Sequence, residues 1–461
     1  MSSEQYSSLN FRERLFSPMP QRKWAAGMML IILLALVLRI ALAIPALRDA
    51  ATLLRPDSMG YWQPACALAA GDGFVSSPGS TTAEMVRPIG YPLVLSAVIR
   101  LFGNNFLWGA WLGIVLSVSA VVPVILAGRK LLGDKPGLLA GLLYALNLTS
   151  IADAPLILSD TLLGVLAVWQ VFFIISFMKE KNLLYLAALT LTAIAGALVK
   201  PVNLPVVLIG LPVILIAGTG CWSDFIKGVL IIAAGVGSLL IPYWVHNVKL
   251  SGDFDGNTAN AYFHNGSAIL ARATGESSEV WRKRLLEKAE KEFAAHPEKY
   301  STLKAQNQWK KAQFRELVRQ YPADTAITHL PNIFNLLPDV PTMLENNRVT
   351  SGERGTMAVL RQKGFFAAVD HYLNGKWYVL IALAPLLAIY AVTLAAAALR
   401  LILYLVKWQW RWLLIFGVTV FYYIWAPGPV ISPRYLLPAL PMIILMALHI
   451  KNIQQQKGND L

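Results

Sequence analysis

Residues 24–47 read WAAGMMLIILLALVLRIALAIPAL, and a few positions further on residues 53–65 read LLRPDSMGYWQPA. The first stretch is as long as the roughly 20 apolar residues that cross a bilayer as one helix. The second places Arg55 and Asp57 just past its end. Charged groups beside hydrocarbon are costly unless they are paired or serve as ligands or catalysts. PDSMGYW also has the form of a helix start. The stretch alone therefore leaves two readings of Asp57 open, a working carboxylate and a solvated cap.

The rest of the chain points to a membrane as well. Of 461 residues, 56% are hydrophobic and 14% charged, and the mean hydropathy is +0.53, too apolar for a soluble domain. The first run is too long for a secretory h-region and lacks a small-residue cleavage site, so it reads as an uncleaved signal anchor. The net charge is +14. Its basic residues punctuate the apolar segments, which fits orientation by the positive-inside rule and attraction to anionic lipid rather than nucleic-acid binding. There is no zinc spacing, phosphate-binding glycine loop or dinucleotide fingerprint. Cys66 and Cys221 give no disulfide framework.

Arg12, Arg14, Arg22 and Lys23 place the N-terminus in the cytoplasm. The basic clusters 128–135, 179–182 and 406–411, Lys227, and Lys451 with Lys457 belong on the same side. If 88–103 (PIGYPLVLSAVIRLFG) crossed the bilayer, every later cluster would flip outward, so it is expected to lie as a re-entrant or juxtamembrane helix on the outer side. Crossing helices then fall near 24–47, 106–127, 137–155, 160–178, 183–200, 201–218, 225–246, 377–405, 411–427 and 434–450. The expected organisation is a cytoplasmic tail 1–23, a catalytic membrane region 24–246 with a first outer loop 48–105, an outer loop domain 247–375, C-terminal helices 376–450 and a tail 451–461. The loop domain has 17 Lys and Arg against 14 Asp and Glu. Residues 277–300 and 313–337 read as amphipathic helices, the second broken at Pro322, which suits a lid or packing domain. Arg39, inside the first span, is expected to snorkel. Trp24, Trp377, Trp408, Trp410 and Trp412 flank spans as anchors.

This topology gathers three polar turns on the outer face with Asp57: ADAPLILSD (152–160), LVKPVN (198–203) and APGPVISPRYLLP (426–438). PDSMGYWQPACALAAGDGF (56–74) followed by RPIGYPLVLSAVIRLFG (87–103) resembles the first outer loop of the GT-C membrane glycosyltransferases, which use polyprenyl-phosphate sugars. These include protein O-mannosyltransferases and lipid A aminoarabinose transferases. The family form RPPGYP has Ile89 here in place of its second proline. LILSDTLLG (156–164) is similar to the second acidic site and ALVKPVNLP (197–205) to an LLRPT turn. IPYWVHNVKLSGDF (241–254) is similar to PWTIRNYLVFGRF, with His246 where Arg is usual, and SPRYLLPALP (432–441) to RYLLPLLP. Asp57 is followed by Ser58 rather than by the acidic partner usual in protein mannosyltransferases, and the chain is shorter than the aminoarabinose transferases. Both departures point to a bacterial relative that decorates lipopolysaccharide, O-antigen or another envelope glycan.

The resemblance implies an all-α polytopic bundle of about 10–11 transmembrane helices, with outer-face juxtamembrane helices and one mainly helical outer loop domain. It implies an inverting hexosyl- or pentosyltransferase in the inner membrane, with its active site facing the periplasm. The partners would be a polyprenyl-phosphate sugar, a glycan, lipid A or lipopolysaccharide acceptor, and membrane lipid, with no nucleic acid. Asp57 is the expected general base, its pKa raised by apolar surroundings, and Asp160 the second catalytic carboxylate. Arg87, Lys200 and Arg434 are expected on the donor phosphate, Arg87 as bidentate clamp. Tyr61, Glu84 and Tyr435 are expected on substrate. Plainer readings remain for several: a cap for Asp160, interfacial belt rings for Tyr61 and Tyr435, and a solvated loop charge for Glu84. Asp153 and His246 are not favoured as site residues. No cofactor is expected; a divalent cation could sit between paired carboxylates, but neighbouring arginine makes a metal-independent site the expectation. The competing classes are an O-antigen polymerase or ligase using polyprenyl pyrophosphate, and a non-catalytic lipid-linked-sugar transporter or flippase. Transporters tend to show inverted repeats and midplane broken helices. No such repeat is visible here, and the charges cluster at one face.

Overall fold

The computed structural model describes residues 18–254, 258–331, 333–349, 356–430 and 432–449. Arg12, Arg14, Lys451 and Lys457 lie outside them. The described residues are mainly helical, and among them the one pairing of β type is an isolated bridge, Val75 to Ala83. Helix α1 (Gln21–Leu47) leads through a 3₁₀ turn (Ala50–Leu53) to α2 (Ser58–Ala70) and α3 (Gly90–Phe102). Helices α4 (Phe106–Ser119) and α5 (Val121–Leu132) form one long pass, and α6 (Asp134–Ala145) with α7 (Leu148–Ala152) returns. The pair α8 (Ser159–Glu180) and α9 (Leu183–Val199) follows. Then come a 3₁₀ turn (Pro201–Asn203), a π segment (Val206–Gly210), α10 (Leu211–Gly218), α11 (Trp222–Gly235), a second π segment (Val236–Leu240) and α12 (Ile241–Ser251). Both of these π segments lie within a few residues of a proline (Pro205, Pro212, Pro242), which removes a backbone donor from the ladder.

The loop domain holds α13 (Ala261–Thr274), α14 (Ser278–Ala295), α15 (Leu303–Gln320), α16 (Pro322–Thr328), α17 (Val340–Asn346), α18 (Thr356–Lys363) and α19 (Phe365–Leu373). The chain closes with α20 (Tyr378–Val406), α21 (Trp410–Trp412), a π segment (Leu413–Val418), α22 (Thr419–Trp425), a 3₁₀ turn (Pro433–Leu436) and α23 (Leu440–Leu448). Among the described residues, six helical stretches are long and apolar enough to cross a membrane: Gln21–Leu47, Phe106–Leu132, Ser159–Glu180, Pro201–Gly218, Trp222–Ser251 and Tyr378–Val406. The other four expected passes are shorter or interrupted. Leu183–Val199 has 17 residues, and α6–α7 is broken where Asn147 caps α7 by accepting the Ser150 amide.

Contacts fix two ends of the bundle. At one, the Met19 amide donates to Asp134 (2.9 Å), Arg129 bonds Asp134 (2.7 Å) and Gln21 (3.1 Å), and Lys130 pairs with Glu180. The clusters 128–135 and 179–182 therefore share an end with the start of α1. Gly218 abuts the Phe177 ring there, which brings Cys221 to the same end. At the other end α3 packs on α2 and on the last turn of α9. A Cβ on Gly90 would sit 2.8 Å from the Leu198 carbonyl. With 13 residues and a rise of 1.5 Å each, α3 is too short for a core of about 30 Å, and it lies along this end as the sequence predicts.

Arg39 does not snorkel. It is fully buried, donating to Ser117 Oγ (2.7 Å), Ser150 Oγ (2.8 Å) and the carbonyls of Ala35 and Ala145 (both 3.2 Å). The helix break at 146–147 frees carbonyl groups there, and the guanidinium satisfies one of them.

Candidate active site

Asp57 occupies the N-cap position of α2, yet its side chain makes no capping bond. Ser58 Oγ instead accepts the Arg55 amide (2.8 Å). The carboxylate is thus left for cations. Its Oδ1 takes Arg87 Nη2 at 2.7 Å and its Oδ2 takes Arg434 Nη2 at 3.3 Å.

Arg87 is delivered by the loop between α2 and α3. The Glu84 amide donates to the Phe74 carbonyl (3.1 Å), and the buried Glu84 Oε1 accepts the amides of Val86 (2.6 Å) and Arg87 (2.9 Å). Glu84, expected on substrate, here braces the residue that holds Asp57. Tyr61 is buried rather than set in a belt. Its ring lies 4.9 Å from the Arg87 guanidinium carbon, and its hydroxyl shares a 3.0 Å hydrogen bond with Ser159 Oγ.

Asp160 sits in the first turn of α8 without capping it. Lys200 Nζ lies 2.5 Å from its Oδ1 and Arg434 Nε 3.7 Å from its Oδ2. Lys200 is extended (φ −155°, ψ 125°), the conformation that a following proline favours, and so α9 ends with its lysine turned out of the helix. Lys200 Nζ also stands 4.3 Å from the Tyr435 ring, with the Arg434 guanidinium 5.5 Å from the same ring. Arg434, in the 3₁₀ turn Pro433–Leu436, therefore bridges two carboxylates that are 103 positions apart in sequence.

Burial works to raise the Asp57 carboxyl, but Arg87, by charge and hydrogen bond, together with Arg434 and Lys200, outweighs it and holds the group below the ordinary carboxylate range. This corrects the raised value expected from apolar surroundings alone, because the cations stand closer than the hydrocarbon. Burial likewise opposes the charge on Arg87, Lys200 and Arg434, and their carboxylate and tyrosine neighbours overcome it in all three.

Four residues gained a place here that the sequence reading did not give them. Asp153 is 2% exposed, and neither carboxylate oxygen has a hydrogen-bond partner. Burial first, then the like charges of Asp339 and Asp160, push it well above the ordinary range despite Arg434 and Arg55. Asp339 caps α17 through Thr342 (3.1 Å). Arg55 reaches Asn346 (2.8 Å) and Glu345 (3.4 Å), tying the first loop to α17. His264, on α13 of the loop domain, lies within the electrostatic reach of Asp57 and Arg87. Asp153 stood in the quoted turn 152–160, seven residues before Asp160, but no local signal marks His264. His246 is exposed on α12.

By formal charge, three cations face two carboxyl groups, Asp57 and Asp160. The surplus positive charge suits an anion, and guanidinium groups suit a phosphate. Among the described residues no group of three or more His, Cys, Asp or Glu side chains is placed to hold a metal ion. A separate, almost filled crevice lined by Leu143, Asn147, Tyr390, Thr393, Leu440 and Ile443 lies among α6, α20 and α23.

The fold and these ion pairs define an all-α, polytopic membrane protein with a charged site at one end of its helices. No family model and no curated protein matches the sequence. Among solved structures the chain is similar to the Archaeoglobus fulgidus oligosaccharyltransferase in its apo form, at 14% identity and a TM-score of 0.48, over 93% of this chain and 50% of that one. It is also similar to ArnT from Cupriavidus metallidurans bound to undecaprenyl phosphate, at 14% identity and a TM-score of 0.43, over 93% and 78%. The chain thus spans half the length of the oligosaccharyltransferase it matches.

Proposed function

We propose that this protein is a GT-C-type glycosyltransferase that moves a sugar from a polyprenyl-phosphate donor to an envelope glycan or lipid acceptor on the periplasmic face of the inner membrane. The observation that carries the reading is Arg434 shared between Asp57 and Asp160, with Arg87 and Lys200 completing a charged ring at the end of apolar helices. Such a ring meets the needs of the reaction. The isoprenoid tail stays in hydrocarbon while the phosphate reaches cations at the interface, and preorganised cations stabilise the charge that develops on a leaving phosphate.

In this mechanism the phosphate takes Arg87 and Arg434, which releases Asp57 from the pairs that hold its pKa down. The freed carboxylate then accepts the acceptor's proton as the acceptor oxygen attacks the anomeric carbon. The bond from that carbon to the phosphate oxygen breaks, its electron pair leaving with the phosphate. One displacement of this kind inverts the anomeric centre. Asp160 holds Lys200 and Arg434 in place, Tyr61 and Tyr435 line the cations, and no metal takes part. The placement of the charges at one end of the helices favours interfacial transfer over a transporter's midplane site.

The test is incubation of the purified protein with a labelled polyprenyl-phosphate sugar and candidate glycan or lipid acceptors. Transfer with release of polyprenyl phosphate is expected. Transport of an intact lipid-linked sugar, or transfer only from a polyprenyl pyrophosphate, would overturn the reading.

A further inference from the structure

The loop domain returns to the bundle as a strap, residues 335–348, tied to three of the segments around the charged ring. Asn335 is 1% exposed and lies in the 3₁₀ turn Ile333–Leu336. Its Oδ1 accepts the Ser432 amide at 2.7 Å, and its Nδ2 donates to the Val430 carbonyl at 3.4 Å. The next carbonyl, that of Leu336, accepts the Tyr390 hydroxyl of α20 (2.8 Å). Further along, the Asp339 amide donates to Thr149 Oγ1 of α7 (3.1 Å). Asn346 Nδ2 donates to the Ala152 carbonyl (2.7 Å), and Asn346 Oδ1 accepts Arg55 Nη2 (2.8 Å). One continuous segment thus holds the run into Arg434, the start of the 152–160 turn and the first loop.

The strap reaches Arg434 through Ser432. That residue is extended (φ −157°, ψ 112°), as a following proline favours, and its carbonyl accepts the Tyr435 amide (3.1 Å) at the start of the 3₁₀ turn. Arg434 leaves this turn toward Asp57 (3.3 Å) and Asp160 (3.7 Å). The partner of the Ser432 amide is a side chain 97 positions away, so the start of the turn is fixed from the loop domain. We propose that Asn335 is a positioning residue for Arg434. It touches no reacting group. It sets where the guanidinium stands between its two carboxylates and, in the transfer reading on which this inference rests, where it meets the donor phosphate. Hydrogen bonds from a guanidinium to phosphate weaken steeply with distance and angle, so a displaced turn costs phosphate affinity while the charge itself is kept.

The same strap ties the carboxylate side. Asn346 holds the Ala152 carbonyl, at the start of the turn that leads to Asp160, and Arg55, two residues before Asp57. The span from Asn335 to Asn346 therefore gauges the distance from the bridging cation to the carboxylates it bridges.

The experiment is titration of undecaprenyl phosphate into the full chain in detergent, with the melting temperature of each variant as the check on folding. Wild type, Asn335→Ala, Arg434→Ala and the double variant form one cycle. Asn335→Ala is expected to bind about tenfold more weakly than wild type, the scale of one charge-assisted hydrogen bond. In the Arg434→Ala background the same substitution should change affinity by less than about threefold, because a residue that acts through Arg434 has nothing left to position. Asn335→Gln carries the amide one methylene too far to meet both backbone groups. It should show the same dependence on Arg434, and it replaces the alanine variant in the cycle if that variant does not fold. An equal loss in both backgrounds, or affinity within about threefold of wild type in the single variants, would overturn the role of Asn335 and leave the transfer reading standing. If wild type itself does not bind undecaprenyl phosphate, both readings fall.

Discussion

Asp57 is a carboxylate freed from capping by the serine that follows it. Because asparagine caps helices about as well as aspartate, Asp57→Asn separates the two readings. It is expected to lower transfer by about 10²–10⁴-fold, the usual contribution of a general base, while donor affinity measured by titration is kept or rises, because the phosphate no longer has to displace a carboxylate from Arg87 and Arg434. Arg87→Ala should weaken donor use more than Arg87→Lys, since lysine keeps the charge but not the fork that can serve Asp57 and phosphate in turn. The check is the apparent donor affinity of both variants, and equal behaviour would shift the clamp to Lys200 or Arg434. Asp153 offers a test by pH. Its folded pKa lies above the ordinary 3.8, so the native state binds more protons than the unfolded chain above that value. Stability is then lost as pH rises from about 3.8 toward the folded pKa. Asp153→Asn removes this loss. In detergent thermostability runs the variant should melt above wild type at pH 7.5, and the gap should close near pH 4.

Helix α3 shows how an element places residues that it does not contain. Gly90 lets its first turn meet the backbone of α9 at Leu198, two residues before Lys200. An alanine Cβ at 2.8 Å from that carbonyl must push the helix away, because backbone cannot yield as a side-chain tip can. Overpacking of this kind costs typically about 1–3 kcal/mol. Gly90→Ala should therefore lower the melting temperature, and the same shift should weaken donor binding through Lys200 and Arg87. A variant with wild-type melting and binding would mean that α3 is not held there.

At the scale of the molecule, the two ends of the bundle carry opposite duties, one held by Arg129, Asp134, Lys130 and Glu180, the other by the ring around Arg434. Cys221 is exposed beside the first end and Cys66 is buried at the second. A membrane-impermeant maleimide applied to intact spheroplasts should miss Cys221 and label an Asn105→Cys variant at the far end of α3. Labelling of position 105 only after the membrane is opened would reverse the orientation of the bundle. An intramolecular Cys66–Cys221 crosslink should never be found, since a disulfide needs Cα atoms within about 7 Å.

Hydropathy and basic clusters by themselves determined the helical class and the reading of 88–103 as a short helix at one end of the bundle, because the cost of charge and of open backbone in hydrocarbon is written into every apolar run. The motifs at 57, 87, 160, 200 and 434 were legible as well, each lying beside a span end. Only the tertiary structure decided how they pair. That Arg434 joins Asp57 to Asp160, and that Arg39 is buried on Ser117, Ser150 and the Ala145 carbonyl, depend on contacts across 78 to 377 positions, which no local pattern encodes. The same holds for the sign of the Asp57 shift. Apolar neighbours in sequence argued for a raised pKa, and cations brought from three distant segments reversed it, because charge at hydrogen-bond distance outweighs the loss of water around a half-buried carboxylate.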